Sequence, residues 1–463
     1  MSVAFIDNVP FKYTFSAAYL KRVRKEIDDA RKTTAKLTEI LIQSIQAGNV
    51  PAKQDAVLSL LSHPSARLVS ALSANRKLSP RNRKSLDDCL ALSTTLDLFK
   101  PLTEIVPVRP MKKASGGYRM IHNHGLQHRT AQHLVKRVLD IFFVPRSFQF
   151  THLGCHAAIK RTKDLIHAGY VHVAHLDITD FFSSFELEKL LHELPLAQEK
   201  ADPSAKGLPA QPGKGGVLPL PDEVVEYVVT GRHMAVRVML EKSSIGSSLT
   251  HSKELLNAAR LGIPQGSACS SIVAAYTVSL LKWSSASDVA LVNVADDFLL
   301  LAQSREARAK AVDDLVAAVG SLPGGIFKLK LKTATSASKG FRFLGHEIQF
   351  ADGTVRVSPS LAADEELVAK LDTIDDKLGK ILFPIGGTKV DKQAALGLLA
   401  KHAAILQGWQ AAFSQCTDIE GYVSPYLESQ ASWLDLIGAT EDDLKHAITP
   451  DMEYTPGLYA MGK

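Results

Sequence analysis

VALVNVADDFLLLAQ, residues Val289 to Gln303, sets two aspartates, Asp296 and Asp297, between two apolar runs rich in Val and Leu. Such runs read as two buried strands joined by a tight turn, with the carboxylates at its tip. Adjacent charges this close to a core repel one another and call for a cation or a basic partner. An ordinary Asp-rich turn gives the same local pattern, so the rest of the chain has to decide.

Upstream, VHVAHLDITDFFSSFE carries the second signal. Residues 171–178 run or alternate apolar as a strand does and end in Asp177; Asp180, Phe181 and Phe182 follow, with a helix expected from about Ser184. A carboxylate at the end of a buried strand is poorly solvated unless a cation meets it. GIPQGSACSSIVAAYTVSLLKW, residues 262–283, is the third signal: Gly262, Pro264 and Gly266 bend the backbone around Gln265 ahead of an apolar helix. Glycines there would let a flat ligand approach the main chain, although a tight loop before a core helix reads the same way. In IVPVRPMKKASGGYRMIH, residues 105–122, a hairpin is expected, with Lys112 and Lys113 in its turn and Arg119 on the returning strand. Those cations suit phosphate, Arg through its fork and Lys as a point charge, or else simply face water.

The remaining chain frames these stretches. Residues 16–100 read as helical, with Gly48 closing the first element. LQHRTAQHLVKRVLDIFF reads as a helix in which His128 and His133 pack or face solvent rather than bind metal. Residues 201–221 hold five Pro and four Gly, a loop or insertion, and residues 222–260 look helical again. Beyond the Asp-Asp hairpin, Ser304 is placed to cap an amphipathic helix. KLKLKTATSASKGFRFLGHEIQFADGTVRV then gives Lys332 beside a turn, a strand holding Phe343, Leu344 and Gly345, and an Ala-Asp-Gly hairpin. From Ser360 the pattern is helical.

The 463 residues, 46% hydrophobic and 22% charged, have ordinary globular composition and room for two to four domains. A net charge of +6 permits a polyanionic partner without requiring one. Its distribution says more: residues 101–163 hold eleven Lys or Arg against only Glu104 and Asp140. Cys89, Cys155, Cys269 and Cys416 are far apart and form no C-x-x-C pair, which argues against a zinc site or disulfide framework and fits a reducing cytoplasm. No apolar run reaches membrane-span length and the N-terminus lacks a signal-peptide layout, so a soluble cytoplasmic protein without membrane partners is expected.

In order, the basic hairpin, strand-end Asp, Gly-Pro-Gln-Gly loop, Asp-Asp hairpin, Lys segment and Phe-Leu-Gly segment resemble the fingers and palm of a reverse transcriptase over residues 100–350. LDITDFF resembles the first catalytic-aspartate motif, GIPQGSACSS the loop-helix motif, VADD the YADD box, and FRFLG the hairpin between palm and thumb. LQGWQAAF is similar to a thumb stretch of bacterial group II intron-type enzymes. The nearest group is the bacterial single-module enzymes, retron-like, abortive-infection and defence-associated. The resemblance implies an α+β right-hand polymerase: a helical N-terminal extension over 1–100, fingers and palm over 101–358 with an insertion at about 198–222, and a helical thumb and C-terminal region over 359–463.

It further implies RNA-directed DNA synthesis from dNTPs on an RNA template, a non-coding RNA among the candidates, with an antiphage role by analogy and a homo-oligomer compatible. Two-metal nucleotidyl transfer would place Mg²⁺, or Mn²⁺ in its stead, on Asp177, Asp296, Asp297 and the Ile178 carbonyl. Lys112, Arg119, Asp180, Phe181, Phe182, Gln265 and Lys332 would face the dNTP, with Phe182 as the ring that rejects a ribose 2′-hydroxyl and Lys332 as a proton donor to pyrophosphate. Lys113, Arg129, Gly266, Gly345 and Trp409 would face nucleic acid. Val294 departs from the Tyr usual in YADD, which removes a phenol expected near the primer. Two other readings stay open on this sequence. One is a template-independent or protein-primed DNA polymerase, with Tyr454 or Tyr459 as primer; the other is a non-catalytic RNA-binding scaffold.

Overall fold

The computed structural model describes residues 5–6, 9–10, 17–113, 116–193, 219–239, 249–283, 286–383 and 391–447. Tyr454, Tyr459 and most of the expected insertion lie outside them. The described chain is α+β, as expected, and its Cα packing divides it into two compact units.

The first unit comprises residues 1–146, 179–282 and 318–328. A short ribbon of β1 (Phe5–Ile6) and β2 (Val9–Pro10) precedes four helices. α1 (Ala17–Gln46) stops just before Gly48, whose φ of +66° suits only a glycine comfortably. α2 (Val50–Ser62) is capped by the Asn49 side chain, which accepts from the Ala52 N–H. α3 (Pro64–Arg76) follows, and α4 (Leu86–Thr95) starts with a Ser85–Asp88 capping box. α3 packs on α1, α4 and α5 (Leu126–Phe142), burying Val23, Ile27, Leu68, Leu72 and Leu126. Removing that apolar surface from water is what holds the bundle, since the individual caps are worth only about 1 kcal/mol each.

β3 (Val106–Lys112) and β4 (Tyr118–His122) form the expected basic hairpin. Its other edge corrects the helical reading of residues 222–260. A short turn of α8 (Asp222–Val224) and a π-turn (Val225–Val229) end at Thr230 and Gly231, and β6 (Val236–Val238) then pairs parallel with β3. Val-Arg-Val has the period of a strand and β-branched residues to match, but three residues declare themselves only once β3 offers an edge. α9 (Leu249–Ala258) and α10 (Ser270–Ser279) are helical as expected. The helix expected from Ser184 is instead a single 3-10 turn, Phe181–Ser184, followed by α7 (Leu187–His192). Asp180, left-handed at φ +53°, turns the chain at this point.

The second unit comprises residues 147–178, 283–317 and 329–463. Its antiparallel sheet has β5 (His172–Ile178) flanked by β8 (Asp297–Ala302) and β9 (Leu329–Ser336), with β7 (Val289–Val294) outside β8. α6 (Cys155–His167) packs on this unit's core, and the Ser304 hydroxyl caps α11 (Arg305–Gly320) by accepting from Ala307. A second sheet, β10 (Phe341–Phe343), β11 (His346–Ala351) and β12 (Thr354–Pro359), leads into α12 (Leu361–Leu382), α13 (Lys392–Ala412), α14 (Ile419–Ile437) and α15 (Glu441–Ala447). Leu344 and Gly345 are not strand residues. Both have positive φ, +49° and +78°, and close a two-residue turn in which Phe343 pairs with His346. Asp352 and Gly353 close the next hairpin in the same way.

No helix among the described residues is long and apolar enough to cross a membrane.

Candidate metal centre and its surroundings

The centre is built by register. Asp177, at the end of β5, lies directly opposite Asp297, the first residue of β8, and two residues back on the same face His175 lies opposite Leu299. Asp296 occupies the two-residue turn between β7 and β8, entered through Ala295 at a φ of +54°. Its carbonyl accepts from the Ile178 N–H at 3.0 Å, which ties the turn to the end of β5. The turn is held from inside by Asn293, whose Nδ2 donates to the carbonyls of Ala295 and Asp297, each at 3.0 Å. Thr151 Oγ1 accepts from the Ala295 N–H. Carboxylate oxygens of Asp177, Asp296 and Asp297 therefore all lie within 4.8 Å of one another.

Like charges opposite one another in a sheet are destabilising, and the counter-charge comes from β9. Lys332 was expected beside a turn; it sits within this strand, at a β-bulge. His175 pairs with Thr333 and Leu176 with Leu331, which leaves Lys332 as the extra residue. A bulge re-aims a side chain. Lys332 Nζ lies 3.0 Å from a carboxylate oxygen of Asp177 and 3.0 Å from one of Asp297. His175 Nε2 approaches the same Asp297 oxygen at 2.9 Å.

The carboxyls diverge accordingly. Burial, then the charges of Asp297 and Asp177, push Asp296 up to about 6. Burial also raises Asp177, against the pull of Lys332. Burial works the same way on Asp297, but the His175 hydrogen bond and the Lys332 charge outweigh it and hold this carboxyl below its ordinary value. Lys332 is raised: burial opposes its charge, and Asp297 and Asp177 prevail. Three clustered carboxylates against one ammonium leave a surplus of negative charge that a hard divalent cation with oxygen ligands fits.

In the first unit, register separates two residues expected to act together. Lys112 pairs with Tyr118 and Arg119 with Met111, so Lys112 and Arg119 leave opposite faces of the hairpin. Lys113, one residue further on, shares the face of Arg119, and its amine is ion-paired with Asp180. Lys113 is thus the better partner for Arg119. Phe181 is 2% exposed and packs with Phe185 and Phe327, so its ring is core and not a nucleotide contact; Phe182 beside it is half-buried.

Of the two readings of GIPQG, ligand approach or a tight loop before a core helix, Gly262 and Gly266 fit the second, since what comes close to them is protein backbone. A Cβ on Gly262 would stand 2.0 Å from the Phe182 carbonyl oxygen, and one on Gly266 would stand 2.5 Å from that of His122. The loop is pinned on both sides, with Ile263 N–H donating to the Phe182 carbonyl and His122 N–H to that of Gln265. Arg129 is half-buried and its Nε donates to the His124 carbonyl. Trp409 is 0% exposed within α13, its ring tilted against that of Phe413, and serves the core of its unit instead of a nucleic-acid surface. Gly345 answers to its turn. Val294, 7% exposed, belongs to that same core with Leu299 and Leu301, so the residue at this position points inward and not to a primer.

Sequence reading missed His175, Asn293 and Thr151. His175 carried a signal, standing two positions before Asp177 and hence on its face of the strand; Asn293 carried another as the one polar residue in an apolar strand.

No family model matches the chain, and no curated protein sequence matches it significantly. Among solved structures, it is similar to apo telomerase from Candida tropicalis truncated from its C-terminal domain, at 14% identity over 56% of each chain with a TM-score of 0.33. The longer apo telomerase from Candida tropicalis matches at 11% identity over 75% of this chain and 63% of that one, with a TM-score of 0.36. The RNA-dependent RNA polymerase of bacteriophage phi12 matches at 13% identity over 71% and 47%, with a TM-score of 0.32. The chain thus spans about half to two thirds of the length of these structures. Likeness at this level leaves function to the geometry of the site.

Proposed function

We propose that the chain is a template-directed nucleic acid polymerase of the reverse-transcriptase kind, joining dNTPs into DNA on an RNA template. The observation that carries this reading is the three-carboxylate cluster of Asp177, Asp296 and Asp297, assembled from a strand end and an adjacent hairpin turn and faced by Lys332. These carboxylates would hold Mg²⁺ or Mn²⁺, which when bound supplies charge stabilisation at the attacking and leaving oxygens of phosphoryl transfer. His175 orients Asp297. Lys332 balances the carboxylates, and by the motif resemblance it would give a proton to pyrophosphate. Lys113 and Arg119 would take the triphosphate, Phe182 would discriminate against a ribose 2′-hydroxyl, and Gln265 would keep its nucleotide-facing role. A dedicated non-coding RNA as template and a part in antiphage defence belong to the same proposal and rest on the motif resemblance.

The test is incorporation of labelled dNTPs or NTPs by the purified full chain with its co-purifying nucleic acid, with Mg²⁺ or with EDTA. Nuclease digestion identifies the product as DNA or RNA, and sequencing shows whether a template was copied. Mg²⁺-dependent DNA product that disappears in an Asp296→Ala, Asp297→Ala variant is expected. Equal product from that variant would overturn the assignment, and an untemplated or tyrosine-linked product would replace it with the terminal-transferase or protein-primed reading.

A further inference from the structure

The basic excess noted in the sequence between residues 101 and 163 is not spread evenly over the fold. On α5, Arg129, His133, Lys136 and Arg137 follow one another at steps of four, three and one, which places them on one face of the helix. From Arg129 to Arg137 the helix rises about 12 Å. α3 packs against α5 and ends in Arg76, with Lys77 as its C-cap. The four arginine and lysine charges nearest His133, those of Lys77, Arg129, Lys136 and Arg137, crowd one another and, together with burial, keep its imidazole neutral. His133 is pushed down to about 4, by burial first and then by the charges of Lys77, Arg129, Lys136 and Arg137. Lys77 is lowered by burial and by Lys136, Arg129 and Arg76. The acidic groups that bear on the cluster are few: Asp140 pairs with Lys136 at 2.5 Å and also faces Arg137, and Glu104 faces Arg129. Arg137 Nε is buried and has no hydrogen-bond partner.

A row of like charges held together at this density is costly unless a polyanion shares the surface. Two features identify which kind. The opposite face of α5 is spent on the core, with Leu134, Val135, Val138 and Leu139 buried, so the helix has no apolar face left to enter a bilayer as an interfacial helix must. The cations also form a line, which suits a regularly charged strand better than a point ligand.

We propose that the ridge of Arg76, Lys77, Arg129, His133, Lys136 and Arg137 is a binding site for the phosphate backbone of RNA, separate from the carboxylate centre. It deepens the polymerase reading by giving the template strand a sequence-independent anchor on the helical part of the first unit. Because binding there is electrostatic, its strength falls with salt by a slope of about 0.7 per phosphate contacted on a single strand.

The experiment measures binding of a fluorescent oligouridylate to the full chain by anisotropy, over a series of salt concentrations. The substitutions Arg76→Gln, Lys77→Gln and Lys136→Gln are combined, leaving the half-buried Arg129 and Arg137 in place. The expected result is a loss of about tenfold or more in affinity at 0.1 M salt and a salt slope reduced by about 2. Retention of binding by the pair Lys77→Arg, Lys136→Arg is also expected. Should the triple variant unfold, the single Arg76→Gln change, at an exposed position, carries the same test with a slope reduced by about 0.7. Unchanged affinity and slope in a folded variant would overturn the proposal. So would poly-glutamate of equal charge binding as tightly as the oligonucleotide, which would assign the ridge to an acidic protein. The polymerase reading fails separately, through absence of nucleotide incorporation by the wild type.

Discussion

At the scale of single residues the carboxylate centre is a site of stored repulsion, and that makes its members separable by stability as well as by activity. Asp296 lies close to two other carboxylates and is pushed up to about 6 by burial and by their charge. Asp296→Asn is therefore expected to abolish incorporation while stabilising the ion-free protein by about 1–2 kcal/mol at pH 7.5. Lys332→Met should do the reverse to stability, since it leaves Asp177 and Asp297 without their shared cation. Thermal melts in EDTA and in Mg²⁺ check both: Mg²⁺ should raise the wild-type midpoint, raise that of Lys332→Met more, and raise that of Asp296→Asn least. Equal shifts in all three would remove the metal assignment. Val294 makes a different point. A tyrosine at this buried position, Val294→Tyr, forces a large ring into a packed core and should cost about 1–3 kcal/mol. A denaturation midpoint at or above that of the wild type would show that the side chain has room after all.

At the scale of elements, the Gly262–Gly266 loop is a clamp between the Phe182 turn and the basic hairpin. Gly262→Ala sets a Cβ against a carbonyl oxygen of the main chain, at a φ of +67° that alanine adopts poorly. It should displace the Phe182 turn and lower incorporation at least tenfold, with a lower melting midpoint. Gly48→Ala, also at positive φ but with nothing near its Cβ, should cost about 1 kcal/mol and leave incorporation intact. If the two variants behave alike, the clamp is not what holds the turn. Elements of this kind also mark where sequence reading stops. The β7–β8 hairpin and the strand ending at Asp177 were legible because local apolar period and turn chemistry specify them. β6 was not, since three residues become a strand only through pairing with β3. The bulge at Lys332 was invisible for the same reason: it is a property of two strands in register. The glycine clamp was seen as a bend, but its close neighbours, distant in sequence, could not be named from it. Trp409 was assigned by motif, and a motif does not say which face of a helix is buried.

At the scale of the whole molecule, both units hold histidines that the fold keeps neutral, and this ties stability to pH. Burial drives His346, 1% exposed and packed on Phe413 in the second unit, down to about 4, and His133 in the first unit to about 4 as well. Their folded values lie below the unfolded value near 6.5. Protons therefore bind the unfolded chain first as pH falls. The contribution is fully present above about 6.5 and is lost progressively toward 4, where His346 alone accounts for on the order of 2–3 kcal/mol. Asp296 works in the opposite sense. Its raised value means that protonation below about 6 relieves the carboxylate repulsion and favours the folded state. Denaturation of the Asp296→Asn variant between pH 7.5 and 4.5 removes that opposing contribution, and its stability should hold down to about pH 6.5 and then fall toward 4.5. Adding His346→Gln should flatten the curve within it, even if the substitution lowers stability at neutral pH. A double variant with an unchanged slope would place the acid sensitivity at groups other than His346.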